Sequence, residues 1–444
     1  MYRFYLLFFV LSVLISCGSL KQDFEGVLEK SNDLSEVDLA PNLPVRALSA
    51  DTKTWNDVVT NSPEILAAEI AILDAQREAE IVATAKGLQV NSTIQAGSMS
   101  LVDEKNGMLG SLNIDKLVTD FGQTDARTLQ ANVNIEIAKL NYLSVVEKQL
   151  LTAGLALNAW ESGYEVINLT FSKQVLAEPL IENLRRLAVA GQIDAIQLAA
   201  AEQQFAQLEL TKVRSMEAVK KAEIIINKFF NKTPDQLKID LQELENFTSK
   251  LSKTKPIQSV TYRIAQQRKA AADMTLLVHK TSDKGSIVAR SKLDVPAADN
   301  METDATVGIV YSKILRDGGR HEKITNQLEA KIRLAEADML SAMVEVKSKD
   351  ADLRAVKTIV KSANALRMDL INNLQDQISQ LEDQLAIGTT SFNELLSSHI
   401  ELYQLQREEI ESFSELRRIN LELIAVSGRL PEFMNVRLFK DLEN

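Results

Sequence analysis

The feature that most constrains this chain is a long, unbroken helical stretch that occurs twice. Phe121 to Leu187 and Gly318 to Gln384 are each 67 residues long, and only Pro179, Gly154 and Gly163, all in the first copy, interrupt the pattern. Each begins just after an aspartate, as Asp120-Phe121-Gly122-Gln123 or Asp317-Gly318-Gly319-Arg320. Each stops at a glycine turn, Val189-Ala190-Gly191-Gln192 or Ala386-Ile387-Gly388-Thr389. At about 1.5 Å of rise per residue, such a stretch makes a rod of roughly 100 Å. That exceeds an ordinary globular helix and suits a coiled coil or the wall of a tube.

The two copies are related by a constant offset of 197 residues. It carries Asp317 onto Asp120, Gly319 onto Gly122, Gly388 onto Gly191, Leu395 onto Leu198 and Pro431 onto Pro234. The stripe Leu328, Ile332, Ala335, Met339, Ala342 falls on Ala131, Ile135, Ala138, Tyr142, Val145. Chance alignment of helical sequence would not keep aspartate, glycine and proline punctuation in register, so the chain is an internal duplication.

Each copy reads as helix, β-hairpin, rod, glycine turn and return helix. Residues 1–16 form a signal sequence, 17–53 a tether with Pro41 and Pro44, and 54–234 the first repeat. A connector (235–259), the second repeat (260–431) and a C-terminal tail (432–444) follow. In the first repeat Ser62 is placed to cap a helix whose first turn holds Pro63 and which continues through Lys86. The strand candidates are Leu88 to Ser100, Met108 to Val118, Gly285 to Leu293 and Ala305 to Ile314, of alternating but weakly apolar character. Return helices are expected from Ala195 to Phe230 and onward from the Gly388 turn to Val426.

Composition excludes several functions. The net charge is −11, with no basic block to neutralise phosphates, so nucleic acid is not an expected partner. The single cysteine, Cys17, allows neither an intrachain disulfide nor a cysteine metal cluster. His279, His321 and His399 lie on different expected helices and lack metal-ligand spacing, which suits helix-surface residues. There is no phosphate-binding glycine loop and no nucleophile elbow. Neither an enzyme nor a cofactor is expected.

At the start of the chain, Arg3 precedes an apolar run from Tyr5 to Ile15 that is too short to span a bilayer as a helix. The run ends in Leu14-Ile15-Ser16-Cys17-Gly18-Ser19, which resembles the bacterial lipobox, with Cys17 as the lipidated residue. By that resemblance, Gly18 in place of Asp suits sorting to the outer membrane.

The whole plan resembles the TolC family of outer-membrane channel proteins, over nearly everything from Thr54 to Pro431. Thr54 to Ile65 is similar to the family's opening helix, and Ile309 to Arg320, ending in Asp317-Gly318-Gly319-Arg320, to its strand-to-rod junction. Leu385 to Leu396 resembles its tip turn, and Leu187 to Asp194 is a weaker twin. The resemblance implies a mostly α protein with short β: a homotrimeric α-helical barrel capped by a twelve-stranded β-barrel. It also implies a passive efflux or type I secretion duct in the outer membrane. Its partners would be outer-membrane lipid, a periplasmic adaptor and an inner-membrane transporter.

The resemblance further places Gly191, Gln192, Leu198, Gly388, Thr389 and Leu395 at tips that touch the adaptor, and Glu394, Gln197 and Thr390 at the pore constriction. Departures from the pattern are plain. Leu117 and Ile314 stand where relatives often have proline, and the strands are poor in aromatics. Thr390 replaces a basic residue and Gln197 an acidic one, so these two cannot form an ionic latch. The alternative is a lipid-anchored periplasmic coiled-coil scaffold without a pore, though such a scaffold has no use for two hairpins.

Overall fold

The structure, a computed structural model, describes residues 52–99, 105–230, 234, 240–251, 253–297 and 303–439. The signal sequence, Cys17 and nearly all of the tether lie outside the described residues, as do the tip of each hairpin and most of 231–239.

Helix α1 (Thr52–Asn61) leads into α2 (Pro63–Thr84), then strands β1 (Leu88–Met99) and β2 (Lys105–Thr119). The first rod is α3 (Gln123–Val189), which returns as α4 (Ala195–Phe229). A short helix, α5 (Leu241–Lys250), and a 3-10 turn at Pro256–Gln258 precede the second copy. That copy comprises α6 (Val260–Ser282), β3 (Ser286–Ala297), β4 (Asp304–Ser312), the second rod α7 (Arg320–Ala386) and α8 (Phe392–Val426), followed by α9 (Leu430–Phe433). Both rods are 67 residues long and both return helices 35, at the same offset of 197. The offset also sets the starts of α2 and α6.

The rods begin alike because each aspartate caps the helix from outside. Asp120 accepts from the Gly122 and Thr124 N–H groups, and Asp317 from those of Gly319 and His321. The glycines between adopt φ of +90° and +83° to bring these donors round. At the other end both rods close with the same pair of bonds. Gly191 N donates to Ala188 O and Gln192 N to Leu187 O, matched by Gly388 N to Leu385 O and Thr389 N to Gln384 O. This 6→1 and 5→2 pattern needs a left-handed residue after the helix, and Gly191 (φ +66°) and Gly388 (φ +77°) supply it.

Three differences from expectation have physical causes. Ser62 stands at the N-cap of α2, but its hydroxyl bonds the Glu64 carboxylate instead of a backbone N–H. The connector carries α5, whose Leu244 is wholly buried and whose Thr248 binds Asn420. Ten residues show too little periodicity to stand out in sequence. The tail is packed as far as Phe439: the Arg437 N–H donates to Asn56 and that of Phe439 to the Tyr142 hydroxyl.

The largest core lies at the middle of the first rod, where the start of α2 and the ends of α4 and α8 meet it. Val58, Ile65, Ile72, Tyr142, Leu150, Ile226, Phe229, Leu244, Ile424 and Leu430 meet there, so both repeats and the connector share one cluster. Each such side chain, fully buried, contributes about 2 kcal/mol. Two smaller clusters lie toward the glycine turns. One joins Ile181, Leu184 and Leu208 to Leu396 and Tyr403; the other joins Ile378 and Leu381 to Leu395 and Leu402. Gly163 lets α3 and α4 approach closely, since a Cβ there would sit 2.7 Å from Val219 Cγ2.

Candidate functional site: the two-faced sheet and the glycine turns

The four strands form one antiparallel sheet in the order β1-β2-β3-β4. The two hairpins therefore lie side by side, with β2 paired to β3 across the repeat boundary and the outer edges of β1 and β4 unpaired in the chain. Because residues directly opposite one another project to the same face, the register sorts the side chains. One face carries the rows Thr93, Ser111, Asp294, Asp304; Asn91, Asn113, Lys292, Thr306; and Gln89, Asp115, Arg290, Gly308. The other carries Val90, Ile114, Ser291, Val307; Ser92, Leu112, Leu293, Ala305; and Leu88, Lys116, Ala289, Ile309.

The polar face is internally neutralised at the seam between hairpins. Arg290 donates to both Asp115 oxygens at 2.7 and 2.9 Å. Lys292 approaches Asp294 at 2.6 Å, and Ser111 donates to the same carboxylate. The other face is mainly apolar, with Ser92, Ser291 and Lys116 among its residues, yet open: Ile94 is 71% exposed and Ile309 75%. Alternation along β3 puts Arg290 and Lys292 on one side of the strand, but the sequence does not point to their acids. Asp115 lies 175 residues from Arg290, and no local pattern links them.

At the other end of the rods, the residues expected at the tips separate by burial. Gly191, Gln192, Gly388 and Thr389 are exposed, Leu198 is half-buried and Leu395 is buried. Leu198 packs on the cluster of Leu184 and Leu396, and Leu395 on that of Ile378 and Leu381, so these leucines hold the turns from within. Glu394 is exposed in the first turn of α8, where its N–H donates to the Ser391 hydroxyl oxygen. Its carboxylate accepts from Thr390 Oγ1 at 2.8 Å, so two of the three constriction candidates are joined. The third, Gln197, is exposed on the other hairpin, where Asp194 caps α4 through the Ile196 N–H.

The histidines are not independent surface residues. His279 and His321 stack, with ring centroids 4.1 Å apart, where α6 ends and α7 begins. His399 lies between Glu382, at 3.7 Å, and Lys173, and burial lowers its pKa. Among the described residues no three His, Cys, Asp or Glu side chains are grouped to hold a metal. No described helix is long and apolar enough to cross a membrane. Glu147 is a further residue that sequence reading missed. It lies on the first rod with Oε1 sealed from solvent and without a hydrogen-bond partner.

Paired long helices that carry a four-stranded, two-faced sheet define the fold of the TolC-type outer-membrane channel proteins, and this chain has that fold. The outer membrane protein VceC of Vibrio cholerae matches with a TM-score of 0.69 and 14% identity, over 84% of this chain and 95% of that one. The CmeC outer membrane channel of Campylobacter jejuni matches at 0.69 and 11%, over 88% and 94%. The MtrE outer membrane channel of Neisseria gonorrhoeae, in its open state, matches at 0.69 and 11%, over 88% and 96%. No family model and no curated protein matches the sequence.

Proposed function

We propose that the chain is an outer-membrane exit duct: three copies close twelve strands into a barrel, and their rods continue it as a tube into the periplasm. The observation that carries this reading is the sheet, with one polar face, one exposed apolar face and two unpaired edges. A membrane-spanning strand needs about 9–11 residues, and lipid cannot satisfy a free edge. The strands here have 12, 15, 12 and 9 residues, and four cannot close on themselves. The polar face would line the water-filled lumen and the apolar face would meet lipid.

In this reading the duct is passive and belongs to a tripartite efflux or type I secretion system. The exposed turn residues Gly191, Gln192, Gly388 and Thr389, held by Leu198 and Leu395, touch a periplasmic adaptor that links to an inner-membrane transporter. Glu394, Thr390 and Gln197 line the narrow end, and Cys17 carries lipid. A pore-free coiled-coil scaffold would not need the two-faced sheet.

Purified protein in a planar bilayer tests the reading. The expected result is discrete conductance from a trimer whose gel mobility changes on heating. A monomeric protein without conductance would support the scaffold instead. Palmitate should label the wild type and not Cys17→Ala; an unlabelled wild type would remove the lipid anchor from the proposal.

A further inference from the structure

The constant offset makes each hairpin an internal control for the other. In the first hairpin, Arg185 on α3 donates through Nε to Glu202 on α4 at 2.9 Å, near the glycine turn. Adding 197 carries Arg185 onto Glu382 and Glu202 onto His399, so the second hairpin has the same clamp with its charges exchanged. There His399 Nε2 on α8 lies 3.7 Å from Glu382 Oε1 on α7. The first clamp joins a guanidinium to a carboxylate and is charged throughout the range in which an imidazole titrates. The second is an ion pair only while the imidazole carries a proton.

His399 also lies at the contact between the two hairpins. Its neighbours on α8, Leu396, Ile400 and Tyr403, share one core with Ala177, Ile181 and Leu184 of α3. The Tyr403 hydroxyl is 3.0 Å from that of Thr170 on the same rod. Only 13% of the His399 side chain is exposed, and its Nδ1 is sealed from solvent without a hydrogen-bond partner. The charged groups that act on it are Lys173, from α3, and Glu382, from α7. A neutral imidazole suits this seat. A charged one would be largely dry and would face an ammonium.

We propose that His399 is a proton-operated latch between the hairpins: neutral, it seats α8 on α3; protonated, it leaves Lys173, closes on Glu382 and loosens the end of the second hairpin from the first rod. The latch lies within one chain, so it goes beyond the duct reading and does not rest on it. Burial, then Lys173, lowers the His399 pKa from its ordinary 6.5, against the pull of Glu382. A histidine lowered in this way stabilises the seated form fully above that value and loses the contribution as pH falls below it. The first hairpin, with Arg185 and Glu202 in the matching places, has no such response.

Spin labels on the two exposed turns read the latch. The labelled parent carries Cys17→Ala, Gln192→Cys and Thr389→Cys, and is diluted with unlabelled chain so that distances within one chain are measured. In detergent, the label-to-label distance should lengthen as pH falls from 7.5 to 5. His399→Gln should keep the short distance throughout, and His399→Arg should give the long one already at pH 7.5. Two further variants read the charges and spare the packed core. Lys173→Met should raise the midpoint of the change and Glu382→Gln should lower it, each by about half a pH unit, the size that a partly exposed charge pair imposes. A parent whose distance ignores pH overturns the latch, as does a midpoint that neither charge variant moves. A response that survives His399→Gln overturns it too and assigns the titration to His279 and His321, at the far end of the rods.

Discussion

Arg290 lies directly opposite Asp115 and holds both of its carboxylate oxygens, across the one strand pair in the sheet that no hairpin turn connects. β1 and β2 lie within one repeat, as do β3 and β4, but β2 and β3 come from different repeats. A one-residue slip there would move polar side chains to the apolar face. The bidentate pair, with Ser111 and Asp294 four residues along, fixes that register.

Asp115→Ala should therefore lower the temperature at which the trimer's gel mobility changes. Exchanging the pair, with Asp115→Arg and Arg290→Asp in one chain, should restore most of it. A double variant no better than the single one would show that the pair does not set register.

Gly388→Val should impair transport more than assembly. The site is at φ +77°, where a β-branched residue is strained, but a Cβ there meets nothing within 4 Å. The strain, about 1–2 kcal/mol, falls on one turn of a large structure. Crosslinking to the adaptor should fall while trimer yield persists; loss of the trimer would assign the glycine to folding.

Three copies of Glu394 would form an acidic ring at the narrow end and favour cations. Reversal potential under a salt gradient should show cation preference, weakened by Glu394→Gln and strengthened by Gln197→Glu. Thr390→Val, which removes the hydroxyl from the carboxylate, should alter conductance without changing net charge. An active Glu394→Gln channel with unchanged reversal potential would place Glu394 on the outer surface.

Burial pushes the Glu147 carboxyl up to about 8 from 4.5, with Arg263 pulling the other way. A carboxyl with a raised folded pKa is proton-bound in the fold. Its contribution to stability is full below about pH 4.5 and is lost as pH rises through about 8. The thermal midpoint should fall between pH 6 and pH 9, and Glu147→Gln should flatten that fall. An unchanged pH profile in the variant would mean that another group titrates.

The rods, their aspartate starts and their glycine ends were legible because they rest on local chemistry repeated twice. The pairing of β2 with β3 was not, because Asp115 and Arg290 meet only after the first rod, its return helix, α5 and α6 have folded between them. The stacking of His279 on His321 has the same cause: one residue ends a helix and the other begins the next rod, with a hairpin between. Helix α5 was hidden for a different reason. Its apolar residues Leu241, Leu244 and Phe247 span barely two turns, so only the groove that receives them reveals the helix. At the tips, sequence marked the turns correctly but could not separate the exposed Thr389 from the buried Leu395, since both lie beside the same glycine.

If the sheet inserts as proposed, its two faces also set a hazard for the chain before it reaches a bilayer. In water, Leu88, Ile94, Val307 and Ile309 are uncovered beside two strand edges ready to pair with any passing strand. The helices can bury their core without a membrane, but the sheet cannot, so delivery becomes a race between insertion and aggregation. A chain made without an escort, or held too long in an aqueous compartment, should be lost through its strands while its helices are still sound.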